Sequence, residues 1–166
     1  MRRRARQVRA LYRKHFADYR KERQLLSSAS FFVTFATVRA ITHAIRAGVG
    51  PFRNVTPGGR HIHHMTFGIL GLLLVGYLWM LEIGTATNDR RSSRLTSATY
   101  GAGAALTLDE FALWLNLQDV YWQRQGRQSI DAVLLFGSLL MVGILAGPFM
   151  HAVAREVVNV LKVMRR

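Results

Sequence analysis

Residues 62–83, IHHMTFGILGLLLVGYLWMLEI, contain no lysine or arginine and one acidic residue, Glu82. About 20 apolar residues in a row is the length a helix needs to cross some 30 Å of hydrocarbon at 1.5 Å per residue. This run constrains the fold more than any other feature, because a chain of 166 residues that carries it must either bury it in a core or place it in lipid. Charge distribution decides for lipid. A basic soluble domain scatters its charges over its surface, whereas the 23 Lys and Arg and 9 Asp and Glu here fall in blocks separated by long apolar stretches, as loops do between membrane spans. The predicted fold class is all-α: a polytopic membrane protein of about four transmembrane helices plus a basic amphipathic N-terminal helix.

The organisation follows from those blocks. Residues 1–26 form a basic amphipathic helix, cytoplasmic or interfacial, in which Val8, Leu11, Tyr12, Phe16 and Tyr19 recur at three- and four-residue spacing. Such a helix lies on anionic lipid at the inner leaflet; nucleic acid, the rival partner for a basic arm, is set aside because this arm is joined to a membrane core. Residues 27–151 form the bundle, with spans expected at 27–47, 62–83, 95–118 and 130–151, and residues 152–166 a short basic cytoplasmic tail. No cleavable signal is expected, since a second basic run precedes any apolar core. With the N-terminus inside, the inner segments hold seventeen basic residues and the outer loops four, Arg53, Arg60, Arg124 and Arg127, which satisfies the positive-inside rule. The expected location is therefore the plasma (inner) membrane, multi-pass, with both termini cytoplasmic. Absent cysteine excludes disulfides and thiolate metal sites. Small residues Gly101 to Ala105 and the Gly143…Gly147 step let helices approach closely, within the bundle or across a homodimer, and Trp114, Tyr121 and Trp122 make an outer aromatic belt.

Ionisable groups within a bilayer are costly and need a partner or a task. In this orientation Arg39, His43, the His61-Ile62-His63-His64 run, Asp109 and Glu110 all fall in the outer half. Arg39 is matched in depth to Asp109 and Glu110 and should pair with one of them. Neighbours on a helix diverge by about 100°, so the other carboxylate should face a cavity or a metal. Imidazole nitrogens are the commonest ligands for zinc, iron and copper, and carboxylates complete such sites. The expected metal ligands are His61, His63, His64 and His43, with a divalent metal, zinc for preference. Asp109 or Glu110 would serve as ligand or general base and Arg39 would orient the carboxylate or hold a substrate anion. Such a centre suits metal-activated water attacking a lipid-like substrate. Two other readings use the same residues: a structural one, in which the histidines cap a span at the interface and the charges lock the bundle, and one in which they handle protons or ions without metal.

The segments Gly59-Arg60-His61-Ile62-His63-His64, Leu106-Thr107-Leu108-Asp109-Glu110-Phe111-Ala112-Leu113-Trp114 and Asp119-Val120-Tyr121-Trp122 resemble a family of uncharacterised small integral membrane proteins of high-GC Gram-positive bacteria. The resemblance spans most of the chain beyond the basic arm; it implies a plasma-membrane location and no activity. The alkaline ceramidase and adiponectin receptor superfamily shares only the ingredients, with more spans and histidines divided between early and late helices, so no residue role is carried over from it.

Overall fold

A computed structural model describes residues 12, 16–54, 56–59, 62–85, 89–141 and 143–145. It is all-helical, with no strand among the described residues. Helix α1 (Tyr19–Ala47) is one uninterrupted element of 29 residues, about 43 Å long at 1.5 Å per residue. Asp18 caps its start by accepting from Arg20 N at 2.9 Å, and Gly48, at φ +67°, ends it in the left-handed conformation. Helix α2 (His64–Met80) follows a loop that contains a 3₁₀ turn at Pro57–Gly59. Helix α3 (Arg90–Asp109) is capped by Asp89, whose carboxylate accepts from Ser92 N at 3.0 Å. The short helix α4 (Phe111–Asn116) comes next, and α5 (Arg124–Leu145) opens with a 3₁₀ turn over Arg124–Gly126.

Helix α3 is the axis of the bundle. Helices α1 and α2 each lie along it and do not pack against one another. Its small residues make this possible: a Cβ on Gly101 would run into the backbone carbonyl of Ser27 in α1, and one on Gly68 of α2 would lie 2.7 Å from Gly103 O. The small face of α3 is thus filled from within the chain. Two α1 hydroxyls bond across this seam, Ser27 Oγ donating to Ser97 O at 2.9 Å and Ser30 Oγ to Ala98 O at 2.7 Å, while the buried Ser28 Oγ has no hydrogen-bond partner. The apolar core is Phe31, Ala104, Ala105 and Val133, which brings α5 against α1 and α3.

Among the described residues two helices, α1 and α5, are long and apolar enough to cross a membrane, and only 17% and 18% of their apolar windows are buried. A soluble core helix would bury most of such a window. Leu70, Leu73 and Leu74 of α2 and Leu134, Leu135 and Leu139 of α5 are likewise exposed.

Element bounds differ from the sequence reading in four places. The boundary expected between residues 26 and 27 is not a break, since α1 runs without interruption from Tyr19 to Ala47. The run 62–83 is helical only from His64 to Met80, because Glu82 at φ 60° and Gly84 at φ 78° turn the chain toward α3. The segment 95–118 is not one helix: α3 ends at Asp109, Glu110 takes φ −109° and ψ 23°, and α4 starts afresh. The last helix begins at Arg124 rather than at residue 130. Most of the basic arm and the tail 152–166 lie outside the described residues.

Candidate functional site

At the end of α3 that carries Asp109, the helix breaks, and the two carboxylates on either side of the break reach opposite nitrogens of the His64 ring. Asp109 is fully buried and Glu110 nearly so. Asp109 Oδ1 lies 2.6 Å from Arg39 Nε of α1, a charge contact outside hydrogen-bond alignment, for neither atom has a hydrogen-bond partner. Asp109 Oδ2 accepts from the Tyr121 hydroxyl at 2.7 Å and faces His64 Nε2 at 3.0 Å. Glu110 Oε1 lies 2.7 Å from His63 Nδ1, and its Oε2 accepts from Met65 N at 2.8 Å. Helix α2 has no side-chain cap of its own. Glu110 therefore supplies the cap from another helix, placing a negative charge on exposed first-turn N–H groups at the positive end of the α2 dipole.

His64 bridges the carboxylates, since its Nδ1 lies 3.5 Å from Glu110 Oε2 while its Nε2 faces Asp109. A neutral imidazole has one N–H and can donate to one of them; the protonated ring serves both.

Tyr121 completes the site. It stands in the loop after α4, whose return is tight because Gly126 has no Cβ to strike the Tyr121 carbonyl. Its hydroxyl also lies 3.1 Å from Thr42 Oγ1 of α1, and Arg39 stacks over its ring at 4.7 Å. Burial, reinforced by the Asp109 carboxylate, pushes the Tyr121 hydroxyl above the ordinary tyrosine range.

The cluster borders a cavity of about 490 Å³. Val38, Ile41, Ile45, Ile62 and Phe67 give it an apolar wall, His63, His64, Glu110 and Tyr121 a more buried polar floor, and the exposed Arg46, Arg53 and Asp119 a charged rim with two cations to one carboxylate.

Arg39, His63, His64, Asp109 and Glu110, all expected from sequence, are thus brought together. Arg39 pairs with Asp109, and Glu110 is the carboxylate that faces the cavity. The adjacent carboxylates do take different partners, as expected, but they do so across a helix break, because α3 ends at Asp109 and does not continue through Glu110. His43 is not brought in: it is exposed, with its ring edge-on to Trp122 at 5.0 Å between centroids. His61 lies outside the described residues. Tyr121 and Thr42 were missed; the aromatic-belt reading explained Tyr121 by its ring alone, and the only hint of its second role was a hydroxyl beside the Asp119 turn.

Two ligands of one tetrahedral zinc at 2.0–2.1 Å from it stand roughly 3.3 Å apart. The 2.7 Å and 3.0 Å separations here are those of hydrogen bonds. No group of three His, Asp or Glu among the described residues is arranged to hold a metal ion.

No family model matches the chain, and neither a curated protein nor a solved structure matches it.

Proposed function

We propose that the chain is a four-span protein of the plasma membrane, with both ends inside, that binds a lipid-like amphiphile in the outer half of the bilayer. The observation that carries this reading is the cavity itself, with an apolar wall and a charged, hydrogen-bonded floor. The four-span topology is supported by the two apolar helices, by the outward leucines of α2, and by seventeen basic residues on one side against four on the other. In that orientation the cavity opens toward the outer leaflet, and the gap between α1 and α2 lets a ligand enter sideways from lipid. Apolar walls with a few fixed polar groups are the usual make-up of a small-ligand site. The test is native mass spectrometry of protein purified in mild detergent. Wild type should retain about one lipid-like molecule per chain, and Ile41→Trp, which fills the cavity, should retain none. Wild type that retains none and takes up none when lipid is added would end this reading.

A second reading places a divalent metal, zinc for preference, on His63, His64 and Glu110, with metal-activated water attacking a lipid-like substrate. It is favoured by four ligand-type side chains, His63, His64, Asp109 and Glu110, meeting in one chain of contacts of 3.5 Å or less. It requires the imidazoles and carboxylates to separate by about half an ångström from their present hydrogen bonds. Metal analysis of chelator-free protein tests it: close to one metal per chain, lost in a His63→Ala, His64→Ala double variant, supports it. Metal-free protein with no uptake of zinc, iron or manganese removes it.

A further inference from the structure

Two exposed arginines and one exposed carboxylate, Asp119, line the cavity, and among the described residues the arginines form no ion pair with it. Arg46 ends α1 and Arg53 stands in the loop that follows. Neither is in an ion pair with an acidic residue among the described residues. Of the cavity's two carboxylates, Glu110 is held by His63 and Met65 N, while Asp119 accepts one backbone bond, from Tyr121 N at 3.3 Å, so the two arginines outnumber the one carboxylate not held by a histidine. The Arg46 guanidinium carbon lies over the Trp122 ring, 4.4 Å from its centroid, a cation–π contact that uses none of its N–H donors. Among the described residues Arg53 uses only Nη1, donating to Gly50 O at 3.2 Å and Phe52 O at 2.7 Å, out of a fork of five N–H donors. Positive charge on the outer side also runs against the bias of the rest of the chain, where basic residues collect inside.

We infer that this rim is a phosphate site and that its occupant is an outer-leaflet phospholipid held by its phosphodiester. Paired arginine forks match the oxygens of a phosphate in charge and in planar, two-point geometry. The wall beneath them selects the source of that phosphate. Val38, Ile41, Ile45, Ile62 and Phe67 offer an apolar surface that inorganic phosphate cannot use but that the upper part of an acyl chain covers. The open flank between α1 and α2 lets the rest of the chain remain in the bilayer. This inference rests on the cavity reading above and adds the class of headgroup.

The test uses the full-length chain in detergent, stripped of lipid, with native mass spectrometry and three probes: phosphatidylglycerol, diacylglycerol with the same acyl chains, and inorganic phosphate. Phosphatidylglycerol should bind at least tenfold tighter than diacylglycerol. Arg46→Gln and Arg53→Gln should each lower its affinity by about tenfold, as expected for loss of a charge-assisted bond. Diacylglycerol retention should be unchanged in both variants. Lysine variants at the same positions, which keep the charge, should fall between, and an unchanged thermal unfolding profile will show that each variant is folded. Equal binding of both lipids, or phosphatidylglycerol binding that ignores both substitutions, would overturn the headgroup assignment and leave the cavity reading standing. Failure of both lipids to bind would overturn both. Inorganic phosphate binding as tightly as the lipid would mean a free-anion site instead.

Discussion

Replacing Arg39 by leucine removes the cation from a carboxylate that has no access to solvent. Asp109 is 0% exposed, and its three partners are Arg39 at 2.6 Å, the Tyr121 hydroxyl at 2.7 Å and His64 Nε2 at 3.0 Å. Breaking a buried ion pair from one side costs about 3–5 kcal/mol, because the remaining charge keeps its desolvation penalty and loses its compensation. Two partners persist in Arg39→Leu, and the Arg39 side chain is itself 17% exposed. The expected loss is therefore at the lower end, about 3 kcal/mol. The geometry also names the rescuing substitution. Asp109→Asn removes the stranded charge while an amide can still bond Tyr121 and His64, so Arg39→Leu with Asp109→Asn should be more stable than Arg39→Leu alone by about 1–2 kcal/mol. Glu110→Gln should give no such recovery, since Glu110 belongs to His63 and Met65 N. Equilibrium unfolding in mixed micelles measures all four proteins. A loss below about 1 kcal/mol for Arg39→Leu, or better rescue by Glu110→Gln than by Asp109→Asn, would refute the pairing.

Helix packing makes a sharper contrast: Gly101→Val drives a side chain into the Ser27 carbonyl and should cost about 3 kcal/mol or more. Gly76→Ala meets no atom within 4 Å and should be neutral or stabilising by up to about 1 kcal/mol, both read from thermal unfolding. Tyr121 has a hydroxyl raised by burial and by Asp109, so folding favours its protonated form. Its contribution should be complete below the unfolded tyrosine value near 10 and lost as pH rises above it; Tyr121→Phe should flatten that alkaline limb in a stability–pH series. Because the chain has no cysteine, single cysteines report topology directly: one at Asn54 should react with an impermeant maleimide added to intact cells, and one at Arg91 only after permeabilisation.

The sequence alone determined that the chain is helical and that its apolar runs are separated by charged blocks, because hydrophobic run length and charge placement are one-dimensional properties. It also marked Arg39, His43, His61, His63, His64, Asp109 and Glu110 as a set, by counting residues from the ends of the expected spans, and five of them, Arg39, His63, His64, Asp109 and Glu110, meet in the structure. Direction around a helix was harder. The argument that Asp109 and Glu110 must diverge assumed that the helix continues, and nothing local in Leu108-Asp109-Glu110-Phe111 announces a break: there is no proline or glycine there. The break is imposed from outside, by Arg39 and Tyr121 on one carboxylate and by the uncapped start of α2 on the other. His43 failed for the complementary reason. It lies one turn along α1 from Arg39, but which way a side chain points from a given turn depends on how α1 is rotated against α3, and Ser27, Ser30 and Gly101 set that rotation by close contact across the seam. Tyr121 entered the site through a loop closed by Gly126, a contact between segments that periodicity cannot see. Only the tertiary structure decided these points, because each is a consequence of long-range packing on residues whose local preferences left the outcome open.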